Sequence, residues 1–182
     1  AGHLTSRPDL LGPAISALGS ADPFIAAAGR ITLEEIDPTL WRASILEGNL
    51  PGTVHGLLAL ARLGKSENRD PILQTLIGMP LPLSRQDELA QLRLITVTLA
   101  RMGDPNDYLR QALLTRIDRQ FPRRDRAIDR LLGDLLVRLQ AQDLTPRLLQ
   151  WLETGPSGND RMAALRALQW VPLAEEERSR VA

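Results

Sequence analysis

Five times along the chain a short oxygen-bearing side chain stands directly before a proline: Asp22-Pro23, Asp37-Pro38, Asp70-Pro71, Asp104-Pro105 and Thr145-Pro146. Proline holds φ in the helical range and lacks an N–H, which suits it to the first position of a helix, where that donor has no partner anyway. The residue before it can turn its side-chain oxygen onto an orphan N–H of the first turn. Each pair therefore predicts a helix start. Ser84, followed by Asp87 and Glu88, predicts a sixth of capping-box type, with acidic groups at the positive end of the helix dipole. Asp160 opens a seventh.

Between these starts the apolar residues recur at intervals of three and four. Leu89, Leu92, Ile95, Leu99 and Met102 form one stripe, and Ile128, Leu131, Leu132, Leu135, Leu136 and Leu139 another. Shorter stripes run through Leu109, Leu113 and Ile117, and through Leu144, Leu148, Leu149 and Leu152. With 35 Leu and 20 Ala among 182 residues, and few β-branched or aromatic side chains, strands would lack their preferred constituents, so the reading is all-α. Short connectors make successive helices antiparallel neighbours. Five helical hairpins result: Pro8 to Glu35, Pro38 to Leu63, Asn68 to Met102, Asp107 to Ala141, and Leu144 to Trp170. Their second helices begin near Asp22, Gly52, Ser84, Arg123 and Asp160, at spacings of 30, 32, 39 and 37 residues, which bracket helix-pair repeats. No linker divides the chain, and residues 1–182 read as one repeat domain whose abrupt ends suggest a segment of a longer polypeptide.

The small-residue helix faces in Asp22-Pro23-Phe24-Ile25-Ala26-Ala27-Ala28-Gly29-Arg30, Leu57-Leu58-Ala59-Leu60-Ala61-Arg62-Leu63-Gly64 and Asp160-Arg161-Met162-Ala163-Ala164-Leu165-Arg166-Ala167-Leu168 resemble the inner helices of HEAT repeats, an α-solenoid family. A narrower resemblance rests on Ser20 to Phe24, Gly56 to Gly64, Leu92 to Ile95, Leu99 to Pro105, Gln120 to Pro122, Ala127 to Arg130 and Leu135 to Ala141. Together these are similar to the HEAT-repeat region of the planctomycete PVC-type haem-binding proteins. There a propeller resembling sugar dehydrogenases often precedes the repeats and a cytochrome-c-like domain follows. Where an Asn-Arg-Glu-Leu run is usual in that family, this chain has Asp129-Arg130-Leu131-Leu132 and loses an acid. The resemblance implies a spacer between redox modules, in an extracytoplasmic compartment, with the redox chemistry outside this chain.

Several chemistries lack their residues. With no Cys, a thioether-linked haem cannot attach and no disulfide can form. His3 and His55 stand 52 positions apart without an acidic cluster, so no zinc pattern emerges: His3 reads as a terminal residue and His55 as a polar residue near a helix start. No Gly-x-Ser-x-Gly or glycine-rich phosphate loop occurs, and Glu34-Glu35 and Glu175 to Glu177 read as solvated faces. Apolar runs break well before the ~20 residues of a membrane span. Twenty-two basic residues against 22 acidic ones argue against a dedicated DNA binder.

The most suggestive cluster is Arg116, Arg119, Arg123, Arg124, Arg126 and Arg130 around Phe121-Pro122, offset by Asp118, Asp125 and Asp129. Six cations against three anions leave a local charge of +3, suited to an acidic partner surface or phosphate groups. The competing reading is helix surface, since Arg126, Arg130, Asp134 and Arg138 recur every four residues opposite the Leu stripe. Trp41, four residues before Ile45, reads as core. Trp151 falls off the strongest stripe and is expected to be partly exposed, while Trp170 ends its helix and is expected to pack onto a following repeat.

The sequence thus points to a non-catalytic interaction or spacer solenoid. Its partners would be a protein or neighbouring domains of the same polypeptide, it would hold no cofactor, and Arg116, Arg119, Arg123, Arg124, Arg126 and Trp151 would form the contact surface. The alternative is an enzyme resembling the HEAT-like alkylpurine DNA glycosylases, which use Arg for phosphates, Trp for stacking and an Asp at the damaged nucleotide. A third is a small-molecule lyase of HEAT type.

Overall fold

The structure is a computed structural model that describes residues 8–118 and 121–178. Its regular elements are helical, with no strands among the described residues. In chain order they are α1 (Pro8–Leu18), α2 (Pro23–Glu35), α3 (Arg42–Leu46), α4 (Thr53–Leu63), α5 (Arg69–Gly78), α6 (Arg85–Met102), α7 (Asp107–Ile117), α8 (Arg126–Arg138), α9 (Leu144–Thr154), α10 (Gly158–Leu168) and α11 (Glu175–Arg178). Short 3-10 turns span Pro38–Leu40 and Ser66–Asn68.

The helix starts follow cap chemistry, though not always the expected pair. Asp22 caps α2 by accepting the Phe24 N–H at 2.8 Å, with Pro23 as the first helical residue. Ser84 caps α6 by accepting the Asp87 N–H at 3.1 Å, and its hydroxyl donates to the Asp87 carboxylate at 2.7 Å. Asp37 makes the expected cap bond, to the Thr39 N–H at 2.9 Å, but starts only a 3-10 turn. The other starts shift by a few residues. Helix α5 already begins at Arg69, ahead of Asp70-Pro71. Asp104-Pro105 lies in a connector, and it is Asn106 that accepts the Leu109 N–H at 2.9 Å. Leu144 rather than Pro146 opens α9, after Asp143 with φ 50°. At α10 Ser157 is the cap and Asp160 sits in the first turn. Pro is tolerated anywhere in a first turn, because none of those N–H groups has an intrahelical acceptor, so an X-Pro pair marks a start only to within a turn.

The chain divides into two compact units, one ending at Leu109 and the other beginning at Arg110, so the division falls within α7 rather than in a linker. In the first unit α4 packs between α2 and α6. Glu34 of α2 meets Arg62 Nε of α4 at 2.9 Å and also pairs with Arg30; Arg101 of α6 donates to the Arg62 carbonyl. His55, two α4 turns before Arg62, lies within the fields of Arg30 on α2 and Asp87 on α6. Residue numbers rise together across these pairs, so α2, α4 and α6 run parallel. Glu34, expected on a solvated face, instead ties two helices together.

Helix α1 runs back along α2 after a connector of residues 19–22. The approach is close: a Cβ on Gly29 would stand 2.7 Å from the Ala14 carbonyl oxygen and 2.8 Å from Ala17 Cβ. Leu33, Ile36, Ile45, Leu57, Leu60, Ile72, Leu73, Leu76, Leu94 and Ile95 fill the core of this unit. Trp41 is buried there as expected, its indole N–H donating to the Ile36 carbonyl at 3.2 Å, which satisfies its one polar atom.

In the second unit α10 packs on both α9 and α8, and α8 touches α9. The apolar stripe of α8 is buried at Ile128, Leu132, Leu135 and Leu136, against Leu144, Leu148, Leu149 and Trp151 of α9 and Ala164, Ala167 and Leu168 of α10. Arg126 lies 3.9 Å from Asp160, and Asp134, two turns on, lies in the field of Arg166, so α8 and α10 are also parallel.

Two glycines separate backbone need from chance. Gly52, before α4, has φ 74°, and a Cβ there would fall 2.1 Å from the Leu18 carbonyl oxygen at the end of α1. Gly52→Ala is expected to destabilise the chain by about 2–5 kcal/mol, combining left-handed strain with a backbone clash. Gly78, in the last turn of α5, meets nothing within 4 Å. Gly78→Ala is expected to stabilise by roughly 0.5–1 kcal/mol. Urea unfolding of both variants checks the pair, and equal effects at the two positions would contradict this packing.

Candidate functional site in the cleft between α8 and α10

Helix α8 presents Arg126, Arg130 and Asp134 at intervals of four, and α10 presents Asn159, Met162, Ala163 and Arg166 at intervals of three and four. Because the two helices are parallel neighbours, these rows face one another across a cleft of about 280 Å³, with Asp160 at its α10 end. The apolar stripe of α8 dictates this arrangement. Once Ile128, Leu132, Leu135 and Leu136 point into the core, the row 126, 130, 134 lies on another side of the helix, toward solvent.

Asp160 is buried at 3% exposure and belongs to the cap of α10: its N–H donates to Ser157 Oγ, and the Ser157 hydroxyl donates to its carboxylate. Its other oxygen lies 3.9 Å from Arg126 Nε, beyond hydrogen-bonding distance. Arg130 and Arg166 make no hydrogen bond and no ion pair within 4 Å among the described residues, although both attract Asp134 through space. Crowding by the cleft walls withdraws the Asp134 carboxyl from water and raises its pKa above the ordinary value of 3.8, against the pull of the two guanidiniums. Five charged groups therefore share one small cleft: three cations, two anions, and at least two forked donors with no protein acceptor.

A larger hollow of about 470 Å³ lies in the same unit, lined by Arg110, Gln111, Leu114, Thr115, Asp118, Gln140 and Gln142. Its charges are partly engaged. Arg110 donates to Gln140 at 3.1 Å, and Asp118 pairs with Arg147. Beside this hollow Arg147 Nε and Nη2 are buried without a hydrogen-bond partner, whereas the α8–α10 cleft gathers three exposed guanidiniums and two carboxylates.

The expected arginine surface is only partly assembled. Arg126 lines the cleft and brings Arg130 with it, while Arg166 joins from α10. Arg116 lies half-buried in the last turn of α7. Arg119 falls outside the described residues. Arg123 and Arg124 have exposed side chains on the loop before α8, and their backbone has a structural task. The Arg123 N–H donates to Asp129 Oδ1 at 2.7 Å, and the Arg124 and Asp125 N–H groups also act on that carboxylate. Asp129 is thus the buried post around which the loop is wrapped. Burial raises its pKa above 3.8, outweighing the backbone donors that favour the charged form.

Trp151 corrects the expected partial exposure. It is buried, its ring 5.3 Å from that of Phe121 in an edge-to-face arrangement, with Gly133 of α8 leaving the space it occupies. It offers no contact surface, and the aromatic platform that a base-extruding enzyme needs does not come from it. Trp170, two residues past the end of α10, is 78% exposed. His55 is half-buried in the first turn of α4; burial, with the Arg30 guanidinium beside it, keeps its pKa below 6.5 despite Asp87. Among the described residues no group of three His, Cys, Asp or Glu is arranged to hold a metal ion. No helix is long and apolar enough to cross a membrane, again among the described residues.

No family model, curated protein or solved structure matches this chain.

The pKa of Asp129 fixes the sign of a pH effect. A carboxyl whose folded pKa exceeds its unfolded value stabilises fully below that unfolded value, and the contribution is lost as pH rises through the folded pKa. The stability of the wild type minus that of Asp129→Asn should therefore fall as pH rises from about 4 to 7. A difference that rises across that window would contradict the burial. Trp170→Phe should remove the emission most accessible to acrylamide, leaving the blue-shifted, weakly quenched fluorescence of Trp41 and Trp151; strong residual quenching would put the Trp151 ring at the surface.

Proposed function

We propose that the chain is a non-catalytic interaction module of HEAT-like helical hairpins, with the α8–α10 cleft as its binding surface. The observation that carries this reading is the pair of arginine forks, Arg130 and Arg166, that line a cleft without a protein acceptor. Both guanidiniums are exposed, so water holds their donors, and an anionic partner can exchange for that water with forked, charge-assisted contacts. The parallel order of α2, α4 and α6 in one unit, and of α8 and α10 in the other, supports the repeat reading. In a solenoid each repeat contributes its second helix to one continuous face, and ligands lie in the grooves between neighbours.

On this reading the chain acts by holding a partner. The resemblance to the repeats of PVC-type haem-binding proteins gives that role a setting, as spacer between a dehydrogenase-like propeller and a cytochrome-type module. Haem and electron transfer would belong to those modules.

An unbiased display of random peptides against the full chain tests the reading. Selected ligands should shift the amide NMR signals of α8 and α10 around residues 126–134 and 159–166. Ligands that map elsewhere, or a library from which nothing is retained, would overturn it.

A further inference from the structure

We propose that the occupant of the α8–α10 cleft is an extended acidic segment of a protein partner, with a carboxylate side chain seated between Arg130 and Arg166. The inference rests on the binding-module reading and adds the chemistry of the ligand. Guanidinium forks match planar carboxylates with two parallel N–H to oxygen contacts, and Arg130 and Arg166 stand exposed in the cleft with no bond to a described protein group.

Two anion chemistries fit an arginine pair, carboxylate and phosphate, and the remaining lining separates them. Asp134 and Asp160 share the cleft, so its formal charge is three cations less two anions, +1. A polyanionic phosphate backbone presents acceptors and negative charge at regular spacing and would be repelled by both carboxylates. An extended polypeptide presents N–H donors and C=O acceptors alternately, together with its side chains. Its backbone N–H groups can bond Asp134, its carbonyls Arg126 or Asn159, and its acidic side chain the Arg130–Arg166 pair. A mixed donor and acceptor lining is what a peptide satisfies and a nucleic acid does not.

The walls add a second preference. Met162 is 53% exposed and Ala163 lies beside it, giving one side of the cleft an apolar strip next to the charges. Methionine adapts to varied apolar partners, so an aliphatic residue adjacent to the acid suits this strip. At about 280 Å³ the cleft lies below the roughly 300–1,000 Å³ of pockets that engulf a drug-sized ligand. It has room for one or two side chains of a peptide passing across α8 and α10.

The test uses the full chain and the random heptapeptide library. Retained sequences should be enriched in Asp or Glu beside an aliphatic residue. Changing the acid of a retained peptide to its amide should weaken binding roughly tenfold or more, as should the Arg130→Gln, Arg166→Gln double variant of the protein. Circular dichroism of that variant should match the wild type, since both side chains are solvent-facing; Arg130→Lys, Arg166→Lys should bind in between, keeping charge but losing the forks. Retained peptides that map to the cleft but lack acids, or that bind the double variant unchanged, would sink the acidic-segment inference and leave the binding-module reading standing. Ligands that map away from α8 and α10 would sink both. A phosphoserine version of a retained peptide, or duplex DNA, that displaces the acidic peptide from the cleft at equal concentration would assign it to phosphate instead.

Discussion

Where α1 meets α2, Gly29 leaves a space that a single methyl group would overfill, and the Ala14 carbonyl and Ala17 side chain move into it. The same device recurs at Gly52 against the end of α1, at Gly56 against Ile45, and at Gly133 against Trp151. In each case a missing side chain lets a neighbouring helix or a large ring come within contact distance, and dispersion and apolar burial then act over the whole interface. The rest of the structure depends on these approaches. They bring the apolar stripes together, and by fixing the rotation of each helix they decide which polar row is left facing out.

The electrostatics follow from that rotation. In the first unit the outward charges of α2, α4 and α6 engage one another: Glu34 is shared by Arg30 and Arg62, and Arg101 reaches the Arg62 carbonyl. Such exposed or half-exposed pairs are worth little individually, and here they mark helices already held by packing. In the second unit the same kind of row is left incomplete. Arg130 and Arg166 face Asp134 without reaching it within 4 Å, and Asp160 is committed to the cap of its own helix. The parallel helices of the two units thus differ in whether their described charges engage one another, and the exposed Arg130 and Arg166 keep their donors available to a partner.

The helical class and much of the core were legible in residue order. The α8 stripe is buried nearly as its spacing requires, and Trp41 is core. Cap pairs located helix starts to within a turn, failing in detail at Asp104-Pro105 and Thr145-Pro146, because several first-turn positions tolerate proline equally. Trp151 is buried, not partly exposed, because its place off the main stripe matters less than the gap at Gly133, eighteen residues away in sequence, into which its ring fits. The arginine cluster was half legible. Arg126 and Arg130 are consecutive on one helix face, whereas Arg166 belongs to the set only through α10. Asp129, which reads as one more surface acid, is instead buried under the loop that precedes its helix.

Residue order by itself determined which segments are helices and which side of each seeks the core, because capping and the spacing of apolar residues act between groups at most four positions apart. Tertiary packing alone decided that the row Arg126, Arg130, Asp134 faces the row Asn159, Met162, Arg166. These rows are some thirty residues apart, and nothing local couples them. They meet because the buried faces of α8, α9 and α10 fit in one arrangement, and the cleft is the part of that fit which the core leaves open.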